Sequence, residues 1–330
     1  MTPRPTPALR RLGQWLMPLL ALGGAMPLAA QTWPTRPVTL VVGTPAGGAV
    51  DVYARTLGEQ LARQTGGTFV VENRAGANGN LSAEQVRKAA PDGHTLWIST
   101  QAMFTINPSA YPALPWKQSD FKPIAKGVES PLVLVVHPSV PVDRLADLGP
   151  WLKAHADKAA YASFSPGTPS HFLGFQFSER LKVPMVHIPY KGSAPQITDL
   201  LGGQVPLGFT QLQSALPHVQ SGKLKALAVT SAQRSRFLPQ VPTLAELGHG
   251  DLNTTVWFGL MAPAGTPPAV TDAIMAAAVK AQADAGYKGK LEAQGFDVPT
   301  ESGAAFEKTI ATETARWAQV VKATGFKAND

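Results

Sequence analysis

The chain has 330 residues, of which 44% are hydrophobic and only 15% charged, and a formal net charge of +7. That length suits two domains with a sizeable core, and the hydrophobicity excludes a disordered chain. With no cysteine, a disulfide framework, a thiol nucleophile and thiolate metal ligands are excluded as well.

Arg4, Arg10 and Arg11 precede an apolar run over residues 15–28, and Leu28-Ala29-Ala30 supplies small residues before Gln31. This is the layout of a secretory signal peptide cleaved near Ala30. Gly23, Gly24 and Pro27 interrupt the run, which is short for a membrane span, and no later stretch reaches ~18 apolar residues. Removing the three leader arginines lowers the formal net charge from +7 to +4. No basic cluster is interleaved with aromatics, so nucleic acid is not an expected partner. A mildly positive balance favours a small anionic ligand.

After the leader, short apolar runs alternate with helical patterns. Strands are expected over 38–42, 68–71 and 95–98, with helices over 50–64 and 81–89 between them. Residues 132–136 are the longest uninterrupted strand candidate. The rhythm then restarts with strands over 160–163 and 186–189 and helices over 170–181 and 194–201. Further strands are expected over 226–230 and 256–261, and two long helices over 268–285 and 304–322. The alternation predicts an α/β architecture with parallel sheets covered by helices. Two β/α groups joined by crossing strands near 132–136 and 226–230 make a two-lobed clamshell with a cleft between the lobes.

Four strand-to-helix turns are rich in small and hydroxyl residues. They are residues 43–48, leading into a helix that carries Asp51; residues 73–79; residues 163–170; and residues 190–194. Each leaves backbone N–H groups at a helix start, where the helix dipole favours an anion. In open α/β sheets such turns lie at the carboxyl ends of strands, where ligands bind. Two turns fall in each expected lobe, so their convergence on a carboxylate is the sharp reading. The plain alternative is that Gly, Ser and Asn simply make turns and caps. Asp51 in a first helical turn is stabilised there in any case, and Arg74 and Lys191 are either carboxylate partners or solvent-facing cations.

Enzymatic signatures are missing. There is no Gly-x-Ser-x-Gly elbow, no Walker loop and no His-Glu-x-x-His, and the seven histidines never fall at metal-ligand spacing. One nucleophilic alternative stays open, a secreted hydrolase in which Ser163 or Ser165 pairs with His171.

Several motifs in order resemble the Bug, or TctC-type, family of periplasmic solute receptors that serve tripartite tricarboxylate transporters. They are Trp33-Pro34-x-Arg36-Pro37, Pro45-Ala46-Gly47-Gly48-x-x-Asp51 and Glu72-Asn73-Arg74-x-Gly76-Ala77-Asn78-Gly79. Further along stand Pro189-Tyr190-Lys191-Gly192-x-x-Pro195, Val241-Pro242-Thr243-x-x-Glu246-x-Gly248 and Trp257-Phe258-Gly259 with Ala262-Pro263-Ala264-Gly265-Thr266-Pro267. The resemblance implies a type II periplasmic-binding-protein fold, two β/α lobes joined by a hinge. It implies a small organic carboxylate held by main-chain N–H groups of Ala46, Gly47, Gly48, Gly76, Ala77 and Asn78. Ser163, Ser165, Thr168, Ser170, Lys191 and Gly192 would complete the site from the second lobe. Thr44 stands where the family usually has an aromatic residue, and Thr210 where it often has an aspartate. Without that acid, a mono- or dicarboxylate is expected rather than an amino acid.

The resulting expectation is a periplasmic receptor that captures the carboxylate and docks on integral membrane transporter subunits, with no catalysis, cofactor or metal. It is expected to be monomeric, because both lobes must move. Its expected parts are a leader over 1–30, a first lobe over 31–131 and 229–330, and a second lobe over 132–228. A ligand-sensing subunit of a membrane signalling system is a further alternative to transport.

Overall fold

The computed structural model describes residues 33–328; the expected leader lies outside them. β1 (Val38–Val42) is buried except at Thr39, as its apolar, β-branched composition requires of a strand covered on both faces. α1 (Ala49–Thr65) lays Val50, Tyr53, Ala54, Leu57 and Leu61 into the same core. It stops at Gly66, whose φ of 72° is the left-handed helix terminator. β2 (Phe69–Asn73), α2 (Asn80–Lys88) and β3 (Thr95–Thr100) follow. A π-helical turn, Ala102–Ile106, then runs into the short α3 (Asn107–Ala110).

β4 (Phe121–Val136) is a single strand of 16 residues, although only 132–136 is expected from the pattern. Its first part reads poorly because Pro123, Lys126 and Gly127 interrupt the apolar run. The register shifts between Pro123 and Ala125 and again between Lys126 and Val128, as bulges do. Lys126 is tolerated inside because Glu129 and Glu301 pair with it at 2.8 and 2.9 Å.

The second β/α group holds α4 (Leu145–Ala154), β5 (Ala160–Ser163), α5 (Pro169–Leu181), β6 (Val186–Pro189) and α6 (Ser193–Leu201). It continues with β7 (Leu207–Gln211), α7 (Leu212–Gln220) and β8 (Lys225–Val229). The chain then gives β9 (Thr255–Pro263), α8 (Pro268–Ala283), α9 (Ala285–Glu292) and α10 (Gly303–Thr324). The helix expected over 268–285 ends at Ala283, and Asp284 caps a separate α9 by accepting the Tyr287 amide at 2.8 Å.

The strand order is β2-β1-β3-β9-β4-β7-β5-β6, with β8 also on β4. β4 therefore belongs to both halves. Phe121–Pro131 pairs with β9, and Val133–Val136 pairs with β8 on one edge and β7 on the other. β1–β2, β1–β3, β5–β6 and β5–β7 are parallel, so the four turns singled out above all leave carboxyl ends of parallel strands.

One pair of cores lies around β1, β3 and β9, and another around the end of β4, β5 and β7. Val229, Leu238 and Val241 share a core with Val133, and Leu244 and Leu252 share one with Leu132 and Leu134. Residues 229–252 thus pack with the second group, whereas the expected boundary returns the chain to the first lobe at 229. No helix among the described residues is long and apolar enough to cross a membrane.

Candidate functional site

The turn after β1 is held from beneath by Asp51, which is only 3% exposed. Its carboxylate accepts the Gly47 amide at 2.9 Å, Asn73 Nδ2 at 2.9 Å and two bonds from Arg55 at 2.9 and 3.0 Å. Burial works against ionisation, but the Arg55, Gly47 and Asn73 donors outweigh it and hold the carboxyl below its usual range. Asp51 is thus fully occupied by the scaffold. Ala46, Gly47 and Gly48 are exposed above it. Thr44 is half-buried; its carbonyl accepts Asn73 Nδ2 at 3.1 Å, and its buried hydroxyl has no partner.

The turn after β2 has four successive residues at positive φ: Gly76 (137°), Ala77 (45°), Asn78 (50°) and Gly79 (86°). For the non-glycine pair that conformation costs roughly 1–2 kcal/mol per residue, so something must hold it. Asn107, fully buried, exchanges both amide ends with the turn. Its Oδ1 accepts Asn78 Nδ2 at 3.1 Å, while its Nδ2 donates to Asn78 O at 3.1 Å and Asn80 Oδ1 at 2.8 Å. Trp116 Nε1 adds a second donor to Asn80 Oδ1 at 3.1 Å.

In the turn after β5, Thr168 Oγ1 donates to Ser165 O at 2.7 Å, and Ser170 Oγ donates to Phe209 O. Both are buried. Ser163, also buried, places Oγ 2.7 Å from His187 Nε2. His171 stacks on His187 with ring centroids 4.0 Å apart and accepts the Gly167 amide on Nδ1. Burial and the neighbouring ring push His171 down to about 3, and burial takes His187 to about 4, so both are neutral near pH 7. Ser165 Oγ donates to Pro166 O instead, and the nitrogen of His171 that a base would use is taken by Gly167. The Ser165–His171 pairing is therefore not assembled, and Ser163 finds His187 rather than His171.

The turn after β6 joins this one, since the Gly192 amide donates to Phe164 O at 2.7 Å. Lys191 is exposed, and no hydrogen bond or ion pair engages it among the described residues. Thr210 is fully buried on β7 opposite Val133, and its hydroxyl has no partner.

The four turns form two tied pairs, and the pairs meet. A Cβ on Gly167 would lie 3.9 Å from Asn78 Nδ2 and 3.1 Å from a ring carbon of Phe326. The turn after β5 therefore lies against the turn after β2. Sequence reasoning missed Arg55, Asn107 and His187. Asn107 and His187 work through partners distant in the chain, which no local pattern marks, whereas Arg55 lies one helical turn after Asp51 and that spacing is itself a readable signal. Among the described residues, no group of three or more His, Asp or Glu side chains is placed to hold a metal ion.

The profile of the tripartite tricarboxylate transporter family receptors matches residues 53–326. The chain belongs to that family. The receptor is 37% identical to protein BugT of Bordetella pertussis over 307 residues, 92% of this chain and 94% of that one. Among solved structures it is similar to the periplasmic binding protein BugD, with a TM-score of 0.80, 34% identity and coverage of 90% of this chain and 100% of that one. It is also similar to R. palustris Rpa4515 with adipate, at a TM-score of 0.82 and 32% identity, covering 89% and 99% of the two chains. The receptor therefore has the two-lobed α/β fold of periplasmic binding proteins, as the sequence reading expected. Its relatives are binding proteins of the periplasm rather than enzymes.

Proposed function

We propose that this receptor captures a small organic mono- or dicarboxylate and delivers it to the integral membrane subunits of a tripartite tricarboxylate-type transporter. The observation that carries the reading is the meeting of Asn78 and Gly167, which draws the amide-bearing turns of both groups to one locus. A carboxylate there is met by the amides of Ala46, Gly47, Gly48, Gly76, Ala77 and Asn78, with Ser165, Gly192 and Lys191 opposite. Helix starts and backbone amides recognise anions without a formal cation. The adipate held by Rpa4515 supports the ligand class. Thr44 Oγ1, buried and unpartnered at the mouth, gains a hydrogen bond from a ligand oxygen.

In this reading the leader over 1–30 is removed on export and the mature chain acts as a periplasmic monomer. The first lobe comprises residues 31–131 together with the part from β9 onward. The second comprises 132–254, a boundary supported by the packing of Val229–Leu252. Ligand contacts made from both lobes favour the closed state over the open one, and no bond is made or broken.

The test is isothermal titration of residues 31–330 with succinate, malate, adipate and the corresponding amino acids. One-to-one binding of an organic acid supports the reading. Tight binding of amino acids alone overturns the ligand class, and ester turnover lost in Ser165→Ala overturns the non-catalytic assignment.

A further inference from the structure

Asn107 lies far from the ligand-facing turns in sequence and is fully buried. It sits where the π-helical turn Ala102–Ile106 passes into α3. From there it makes three hydrogen bonds to two residues that flank Gly79, at 2.8–3.1 Å. Two of them fix both the side chain and the carbonyl of Asn78. The third ties in Asn80, the first residue of α2, which Trp116 holds from the other side.

The geometry points to Asn107 as the positioning residue that sets the affinity of the site, resting on the carboxylate-binding reading above. It keeps Ala77 and Asn78 in the left-handed conformation that presents the turn's amides to the cleft. The chemistry requires an amide at this position. Asn78 offers one donor and one acceptor to it, and Asn80 offers a further acceptor. A carboxylate can accept from Asn78 but cannot return either donation. An aliphatic side chain leaves Asn78 O and Asn78 Nδ2 to be satisfied elsewhere and Asn80 Oδ1 with Trp116 alone, and the strained turn satisfies the first two by relaxing. The π-helical turn gives Asn107 its reach, consistent with the frequent placement of such turns at functional sites.

The position makes a compensation possible. Glycine adopts positive φ without the steric cost that alanine meets. Ala77→Gly therefore restores the turn when Asn107 no longer holds it, whereas it repairs nothing if Asn107 only fills the core.

The experiment uses the mature chain as wild type, Asn107→Ala, Ala77→Gly and the double variant. Backbone chemical shifts and scalar couplings at Ala77 and Asn78 are measured without ligand, and affinity is measured for adipate and malate. Asn107→Ala is expected to lose the left-handed signature and about tenfold in affinity, the equivalent of one lost buried hydrogen bond. The double variant is expected to recover both. A retained left-handed signature, or a lost signature with unchanged affinity, overturns the inference. So does a double variant no better than Asn107→Ala. If Asn107→Ala does not fold, Trp116→Phe, which deletes the donor to Asn80 along with part of the ring packed on Phe104, is measured in its place with a smaller loss in the same direction. If the wild type binds neither acid, the ligand reading fails, while the spectroscopic arm still decides whether Asn107 holds the turn.

Discussion

Asn73 Nδ2 lies 2.9 Å from Asp51 Oδ1, and this contact ties the turn after β1 to the turn after β2. Asn73 is the last residue of β2, and Asp51 sits in the first turn of α1. The same carboxylate holds the Gly47 amide. The acid is thereby neutralised by Arg55 and spent on the scaffold, which in the proposed reading leaves the exposed amides above it to the ligand.

Asp51→Ala removes the acceptor for Gly47, Asn73 and Arg55 together. It is expected to destabilise the receptor by about 1–3 kcal/mol, the cost of stranding buried polar partners, and to weaken ligand binding by loosening the first turn. The folded-state pKa of Asp51 lies below its ordinary value. Its contribution is therefore complete above the unfolded pKa near 3.8 and is lost as pH falls through the lower folded value. Urea unfolding at pH 6 and pH 3 checks this, with the difference between wild type and Asp51→Asn shrinking at the lower pH.

The His171–His187 stack gives a second pH window. Both rings are held neutral, at about 3 and about 4, against an ordinary value of 6.5. The unfolded chain takes up protons first as pH falls. Stability is complete above about pH 6.5 and declines progressively below it. His171→Phe is expected to flatten the dependence of the unfolding midpoint between pH 6.5 and pH 4, although it removes the acceptor for the Gly167 amide.

Gly167 has φ of 68°, and a Cβ there would crowd the Phe326 ring at 3.1 Å. Gly167→Ala is expected to cost about 1–2 kcal/mol from the backbone alone. Gly167→Ala combined with Phe326→Ala should not recover that part, because the conformational cost stays when the ring is gone. Thermal unfolding of the two variants separates the terms.

Lys191 is exposed and makes no ion pair among the described residues. Lys191→Gln is expected to change stability by less than about 0.5 kcal/mol. Binding of a dicarboxylate should weaken by about threefold to tenfold, and its salt dependence should diminish. Calorimetry at two ionic strengths reads both effects.

Much of this was legible in the sequence for physical reasons. β1 and the end of β4 are unbroken apolar runs, and the four turns carry glycine where tight backbone is needed. The first half of β4 was hidden because Lys126 is buried by ion pairs with Glu301 and Glu129, the former 175 residues away. The 226–230 strand reads in sequence as a crossing between lobes, and the packing of Leu244 and Leu252 in the second core has no local signal. At the site, the turns were visible and their supports were not. Asp51 looks like a ligand group until Arg55 and Asn73 are seen to occupy it. Asn107 carries no local signal, and its role shows only in its contacts to Asn78 and Asn80.

The most direct test of the central claim is calorimetric titration of the mature receptor, residues 31–330, with a panel of mono- and dicarboxylates. The account predicts saturable one-to-one binding of an organic acid, weakened in both Asp51→Ala and Lys191→Gln. Binding of no carboxylate, or binding that neither substitution changes, would contradict it.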